Sequence, residues 1–264
     1  MLIQKKNTVR AYDATLSKFI KIYGNVEMDS FSTDDALSFL NTLTQDRKHG
    51  TKRTRFSHLS SFFNFVKNNI DHSLQNPCDT PMMKKLFRRK VHTHWNIVEK
   101  DMVDEIIFRT MKQRDRLVLE LMARGGMRVG EVLNLTPADI HGQKLVIQNP
   151  KSGKENEFIF IPQKIAERLT EYVRDEGIGL NKRIFPTSYE TARTIVRNAG
   201  NLVGIKLRPH DLRRHAATYA SRSGVPIEII SKVILRHANL STTQVYLGKV
   251  DDKEAMGWIE KLYS

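Results

Sequence analysis

The sequence predicts a mainly α-helical protein with one small β-sheet, a helical N-terminal domain followed by an α+β domain. Three observations carry this. Apolar residues recur at three- and four-residue spacing through most of the chain, as in amphipathic helices. Only two short runs, Lys144–Gln148 (KLVIQ) and Glu157–Ile161 (EFIFI), are β-type, and the turn-rich Pro150-Lys-Ser-Gly-Lys154 joins them as a hairpin. The helical pattern breaks at Asn76-Pro77 and Thr80-Pro81, and a basic run follows.

In order, residues 8–23 place Val9, Tyr12, Leu16, Phe19 and Tyr23 on one helical stripe ended by Gly24. Ser32 or Thr33 caps a second helix with Ala36, Leu37, Phe39, Leu40 and Leu43 inward. A third runs from about Thr51 to Ile70, with Leu59, Phe62, Phe63 and Val66 facing a core. Its first turns hold Lys52, Arg53 and Arg55. Cations there oppose the helix dipole, so either a phosphate partner or plain solvation accounts for them. The expected organisation is a helical domain at 1–82, a basic linker at 83–97 and an α+β domain at 98–264. Lys84, Lys85, Arg88, Arg89 and Lys90 make the linker a candidate DNA-backbone contact. His92 and His94 lack the neighbours that would complete a metal site, so no metal is expected.

The second domain opens with helices near 99–111 (Met102, Val103, Ile106, Ile107) and 114–124 (Leu117, Val118, Leu121, Met122), the latter ended by Gly125-Gly126. A short helix carries Arg128, Glu131, Val132 and Leu135 and stops at Thr136-Pro137. After the hairpin come helices near 164–176, 188–200, 210–223 and 226–236, then a short one near 252–262.

Charge narrows the partner. Lys and Arg number 43 against 29 Asp and Glu, a net of +14 with a pI near 9.8. Residues 1–97 hold 16 basic and 8 acidic side chains, and residues 98–264 hold 27 and 21, so both halves share the excess. Such a surface steers a polyanion, although solubility alone also favours it. One cysteine, Cys78, forms no internal disulfide, no stretch suggests a membrane span, and the N-terminus lacks a signal-peptide core. A cytoplasmic protein is expected.

The chemistry-bearing residues cluster late. Gly125-Gly-Met-Arg-Val-Gly-Glu131, Pro209-His-Asp-Leu-Arg-Arg-His215 and Leu235-Arg-His-Ala-Asn-Leu-Ser-Thr-Thr-Gln-Val-Tyr246 supply arginines, histidines and a tyrosine nine residues after His237. This set suits a tetrahedral phosphorus. Tyr246 is a candidate nucleophile, weak while protonated because phenol has a pKa near ~10. Arg128 and Arg213 present forks that match phosphate oxygens and stabilise a pentacoordinate transition state. His210 and His237 donate to phosphate or move the tyrosine proton. Lys151 protonates the leaving oxygen, and Glu131 orients Arg128. Singly, each has a plainer explanation: a packed tyrosine, a surface ion pair, a solvated turn lysine.

Taken together, GGMRVGEVLNL, PKSGKENEFIFIP, RPHDLRRHAATYA and LRHANLSTTQVYL closely resemble the tyrosine recombinases, or phage-type integrases, over essentially all of 98–250. The N-terminal helices resemble that family's core-binding domain more weakly. The resemblance implies a clamp on double-stranded DNA with no metal or nucleotide cofactor. It implies cleavage to a 3′-phosphotyrosine, Holliday-junction strand exchange, and a homo-tetramer on two sites or pairing with a related recombinase. It assigns Arg128 and Arg213 to the phosphate and Lys151 to the acid, with Lys154 as rival. His210 becomes base or phosphate contact, His237 second phosphate donor and Tyr246 nucleophile. Arg214 and Arg236 are added as DNA contacts. Where the family usually has glycine before the His237 position, this chain has Arg236, a cation that contacts DNA or alters local packing. With the first helix starting so early, a two-domain, Xer-like or mobile-element enzyme is expected. A terminal stripe of Met256, Ile259 and Leu262 docks on a neighbouring subunit or on its own domain. Two alternatives remain: relaxation of DNA in the manner of a type IB topoisomerase, and a non-catalytic DNA-binding regulator that keeps the fold.

Overall fold

Aromatic rings organise the first of two units, Met1–His92, into which the computed structural model divides the chain. The structure describes residues 6–88, 97–148, 150, 156–247, 256–257 and 259–260. Helices α1 (Lys6–Tyr23), α2 (Thr33–Leu43) and α3 (His49–Asn69) follow the apolar spacing. Phe19 meets Phe31 edge-on at 5.1 Å, and Phe31 stacks on Phe63 at 5.4 Å, so one ring from each of three segments closes the core. Ser32 caps α2 reciprocally with Asp35, satisfying donors that the first turn leaves open.

One boundary differs from expectation. Thr80 and Pro81 start a helix, α4 (Pro81–Leu86), because Thr80 caps it and proline at the first helical position loses no hydrogen bond. Met83 and Phe87 are buried in the N-terminal core, and Phe87 stacks on Phe56 at 4.7 Å. Residues 83–88 therefore belong to the first unit, not to a linker. Arg89 and Lys90 lie outside the described residues.

The second unit, Thr93–Ser264, is built around α6 (Gln113–Ala123), every residue of which from Leu117 to Ala123 is buried. Around it pack α5 (Lys100–Arg109), α7 (Val129–Asn134), α8 (Gln163–Asp175) and α9 (Tyr189–Asn201). Burial on all sides encloses even Glu120, whose carboxylate takes Arg168 Nη2 at 2.6 Å. The sheet has three antiparallel strands, β1 (Ile140–His141), β2 (Lys144–Gln148) and β3 (Asn156–Phe160), in that order. The two-residue β1 escaped the sequence reading because it is too short to alternate. Leu145 pairs with Ile159 and Ile147 with Glu157, so the inward face of β3 carries one carboxylate.

The chain then forms α10 (Pro209–Arg222), α11 (Ile227–Ile229), a π-helical turn (Ile230–Ile234) and α12 (Leu240–Leu247). Ala217, Ala220, Ile230 and Leu235 make a small separate core. Met256 and Ile259 are exposed. Among the described residues, no helix is long and apolar enough to cross a membrane.

Candidate active site

Arg128 is the residue just before α7, with extended backbone, rather than a residue of the helix itself. Glu131 Oε2 accepts from the Arg128 backbone N–H at 2.8 Å, and Oε1 accepts from its Nη1 at 2.6 Å. One carboxylate thus closes the open helix end and aims the guanidinium. The approach to Arg128 is a left-handed turn at Gly126, φ 60°. A Cβ there would stand 2.8 Å from Ile234 Cγ2 and 3.0 Å from Ile234 O, so the two loops touch at a point only glycine permits.

Arg213, on the first turns of α10, is 1% exposed. Its Nη1 donates to the Gly126 carbonyl and its Nη2 to the Leu235 carbonyl. This one guanidinium links the loop that leads to Arg128 with the loop that leads to His237. Burial of a charge on this scale needs partners, and the carbonyl dipoles supply them.

His237 donates its backbone N–H to Ser231 O at 2.9 Å, and its Nδ1 lies 3.0 Å from Thr243 Oγ1. Burial, then the positive charges of Arg213, Arg128 and Arg236, push its pKa down to about 4. His210 is more open, yet desolvation, then Arg213, Arg214 and Arg128, lowers its pKa as well, against an upward pull from Asp211. Both imidazoles are therefore neutral near pH 7 and sit in the field of the same two arginines, Arg128 and Arg213. The positive charge of these arginines disfavours a proton on either ring.

Arg236 departs from expectation. It is 7% exposed, with its Nη2 2.6 Å from Glu131 and its Nε 3.4 Å from Glu157. It is a buried brace, not a DNA contact, because two enclosed carboxylates demand a counter-charge. Its φ of 49° places it in the left-handed region, which favours glycine. At Glu131, burial opposes ionisation, but Arg236, the Arg128 backbone and the Arg128 guanidinium outweigh it and hold the carboxyl below its ordinary range. Arg214 is likewise enclosed and pairs with Asp211 at 3.2 Å.

Among the N-terminal cations, Arg55 is turned inward, its Nη1 donating to Ala11 O at 3.0 Å and Thr15 Oγ1 at 2.7 Å, so it braces α1 against α3. Arg53, Lys85 and Arg88 are exposed and Lys52 partly so. Lys84 makes a solvent-exposed pair with Asp79. Tyr246 lies on α12, one turn after Thr243, and its side chain falls outside the described residues, as do Lys151 and Lys154. Glu157, Thr243 and Ser231 were missed from sequence. The alternation of EFIFI puts Glu157 on the face of Ile159, a readable signal, whereas nothing local reveals the other two. Among the described residues, no group of three or more His, Cys, Asp or Glu is placed to hold a metal.

Residues 97–253 match the Phage integrase family. Over 257 residues the chain is 32% identical to Tyrosine recombinase XerA of Pyrococcus furiosus, covering 92% of this chain and 84% of the relative. It is also 32% identical over 272 residues to Tyrosine recombinase XerA of Pyrococcus horikoshii, covering 98% and 88%. The fold is similar to that of XerH site-specific recombinase bound to palindromic difH substrate, a post-cleavage complex (TM-score 0.76, 19% identity, 97% of this chain and 80% of that one). It is similar, too, to a lambda integrase dimer bound to a COC′ core site (TM-score 0.69, 19% identity, 95% and 94%). A family match over more than half the chain, together with relatives aligned almost end to end, establishes that it belongs to the phage integrase family as a Xer-like tyrosine recombinase, an enzyme of site-specific DNA recombination.

Proposed function

We propose that the chain cuts and rejoins double-stranded DNA through a 3′-phosphotyrosine on Tyr246 and exchanges strands through a Holliday junction. The observation that carries this reading is the buried Arg213, which ties the loops of Arg128 and His237 together and brings their charges close. A phosphodiester bound there meets the positive charge of Arg128 and Arg213. Arg128 and Arg213 stabilise the non-bridging oxygens as the tyrosine oxygen bonds to phosphorus. The phenolic proton passes to an imidazole, His210 or His237, while the bond to the 5′ oxygen breaks and Lys151 supplies that oxygen with a proton. The reverse steps rejoin a strand.

Lys52, Arg53, Lys84, Lys85 and Arg88 are proposed to track the DNA backbone, along with Arg89 and Lys90. The DNA complexes of the XerH and lambda relatives support duplex DNA as partner. Exposure of Met256 and Ile259 supports docking of the C-terminal stripe on a second subunit, in a tetramer of this chain or with a related recombinase.

The test uses nicked duplexes taken from the flanks of the protein's own gene, with EDTA present. The nick lets the cleaved fragment leave and traps the adduct. A covalent protein–DNA band with wild type but not with Tyr246→Phe is expected. Equal behaviour of the two proteins across many such sequences would overturn the reading and leave a non-catalytic DNA-binding protein.

A further inference from the structure

The polar segment between His237 and Tyr246 contains Thr243, which is wholly buried. Its Oγ1 donates to Ser231 Oγ at 2.9 Å and lies 3.0 Å from His237 Nδ1. A hydroxyl has a single proton to give. With that proton on the Ser231 bond, Thr243 meets the imidazole with a lone pair, and the hydrogen between them must belong to Nδ1. Ser231 is itself held: it is 3% exposed, sits in the π-helical turn, and accepts the His237 backbone N–H at 2.9 Å. Main chain and side chain therefore grip the same histidine from one side.

We propose that Thr243, oriented by Ser231, fixes His237 in the Nδ1–H tautomer, so that its Nε2 enters the reaction as a proton acceptor rather than as a donor. The catalytic consequence rests on the cleavage reading above; the tautomer does not. In that step the Tyr246 O–H bond breaks and an Nε2–H bond forms. The phenolate oxygen bonds to phosphorus as the bond to the 5′ oxygen breaks, and that oxygen takes its proton from Lys151. The ring, now an imidazolium with two N–H groups, donates to the phosphate it has helped to attack. One residue thus serves first as base and then as donor. The low proton affinity of the DNA-free ring fits this order, because the incoming phosphate offsets Arg213 and Arg128 and raises it when the proton must be held. Thr243 and Ser231 are positioning residues: they touch His237, not the DNA.

The experiment labels histidine with ¹⁵N in the full chain and reads ring tautomers by long-range ¹H–¹⁵N NMR, with the His237 signals identified by their loss in His237→Gln. Wild type and Thr243→Ser are expected to show the Nδ1–H form at neutral pH. Thr243→Val, with no acceptor, is expected to move toward the Nε2–H form. Adduct formation on the nicked duplex should slow on the order of 100-fold in Thr243→Val, as for loss of a general base, and recover in Thr243→Ser. An Nε2–H ring in wild type, or an undiminished rate in Thr243→Val, overturns the proposal. If Thr243→Val misfolds, the wild-type spectrum still decides the tautomer. Absence of any adduct from wild type would instead overturn the cleavage reading and the acceptor role with it, while the Nδ1–H assignment would stand on its own spectrum.

Discussion

The Arg213 guanidinium donates to the carbonyl of Gly126, 87 residues earlier in the chain, and its other arm donates to Leu235 O. A side chain expected to grip phosphate is thus also the pin between two loops that carry its partners. The proposed phosphate contact and the fold depend on one residue. Substitutions around this pin should therefore affect folding and cleavage together.

Gly126→Ala tests the pin without touching a charged group. The added methyl collides with Ile234, and φ of 60° disfavours any L side chain. A loss of about 2 to 4 kcal/mol is expected from strain and overpacking together. Urea unfolding measures it, and an unchanged midpoint would mean that the two loops move apart freely.

Arg236 and Glu157 make a separable pair. Arg236→Ala leaves Glu131 and Glu157 enclosed without that cation, at about 3 to 5 kcal/mol, while Glu157→Gln removes one of the two stranded charges. The double variant should be less destabilised than the sum of the singles. Additive losses in a double-mutant cycle would show that the 3.4 Å contact carries no coupling.

Acid should unfold the protein through its histidines before most carboxylates titrate. His58, His210, His215 and His237 all have lowered pKa values, with burial the leading cause at each. The unfolded chain takes up these protons near the ordinary 6.5, whereas folded His237 resists until about 4. Between those values the unfolded state binds more protons, so stability falls as pH drops through that window and is fully present above it. Melting temperatures recorded from about pH 7.5 to about pH 5 should decline, and less steeply in His237→Gln. Equal slopes would remove His237 from the account.

The N-terminal cations should divide in two. Arg53→Ala, at an exposed position, should leave the melting temperature unchanged, weaken DNA binding across sequences and lower the salt slope by about 1. Arg55→Ala should lower stability by about 1 to 3 kcal/mol, because it removes the charged donor that ties α3 to Ala11 O and Thr15 Oγ1. Thermal melts beside salt-dependent binding separate the two; a stable Arg55→Ala protein would return Arg55 to the DNA-facing set.

The sequence by itself determined the helices and most of their buried faces, since spacing of apolar side chains is a local property of the chain. It also determined the residue types proposed for the site, since arginine, histidine and tyrosine stand in its motifs before any folding. Proline was read less well: Thr80-Pro81 looked like an end and is a beginning, since a cap and a first-turn proline start helices as readily as they stop them. Only the tertiary structure decided which charges turn inward to serve the fold. Arg55 and Arg236 look on paper like Arg53, yet each is drawn inward by an oxygen acceptor that packing places opposite it: Thr15 on α1, Glu131 105 residues upstream of Arg236, Glu157 on β3. A cation's role depends on what is buried beside it, and that neighbour comes from distant sequence.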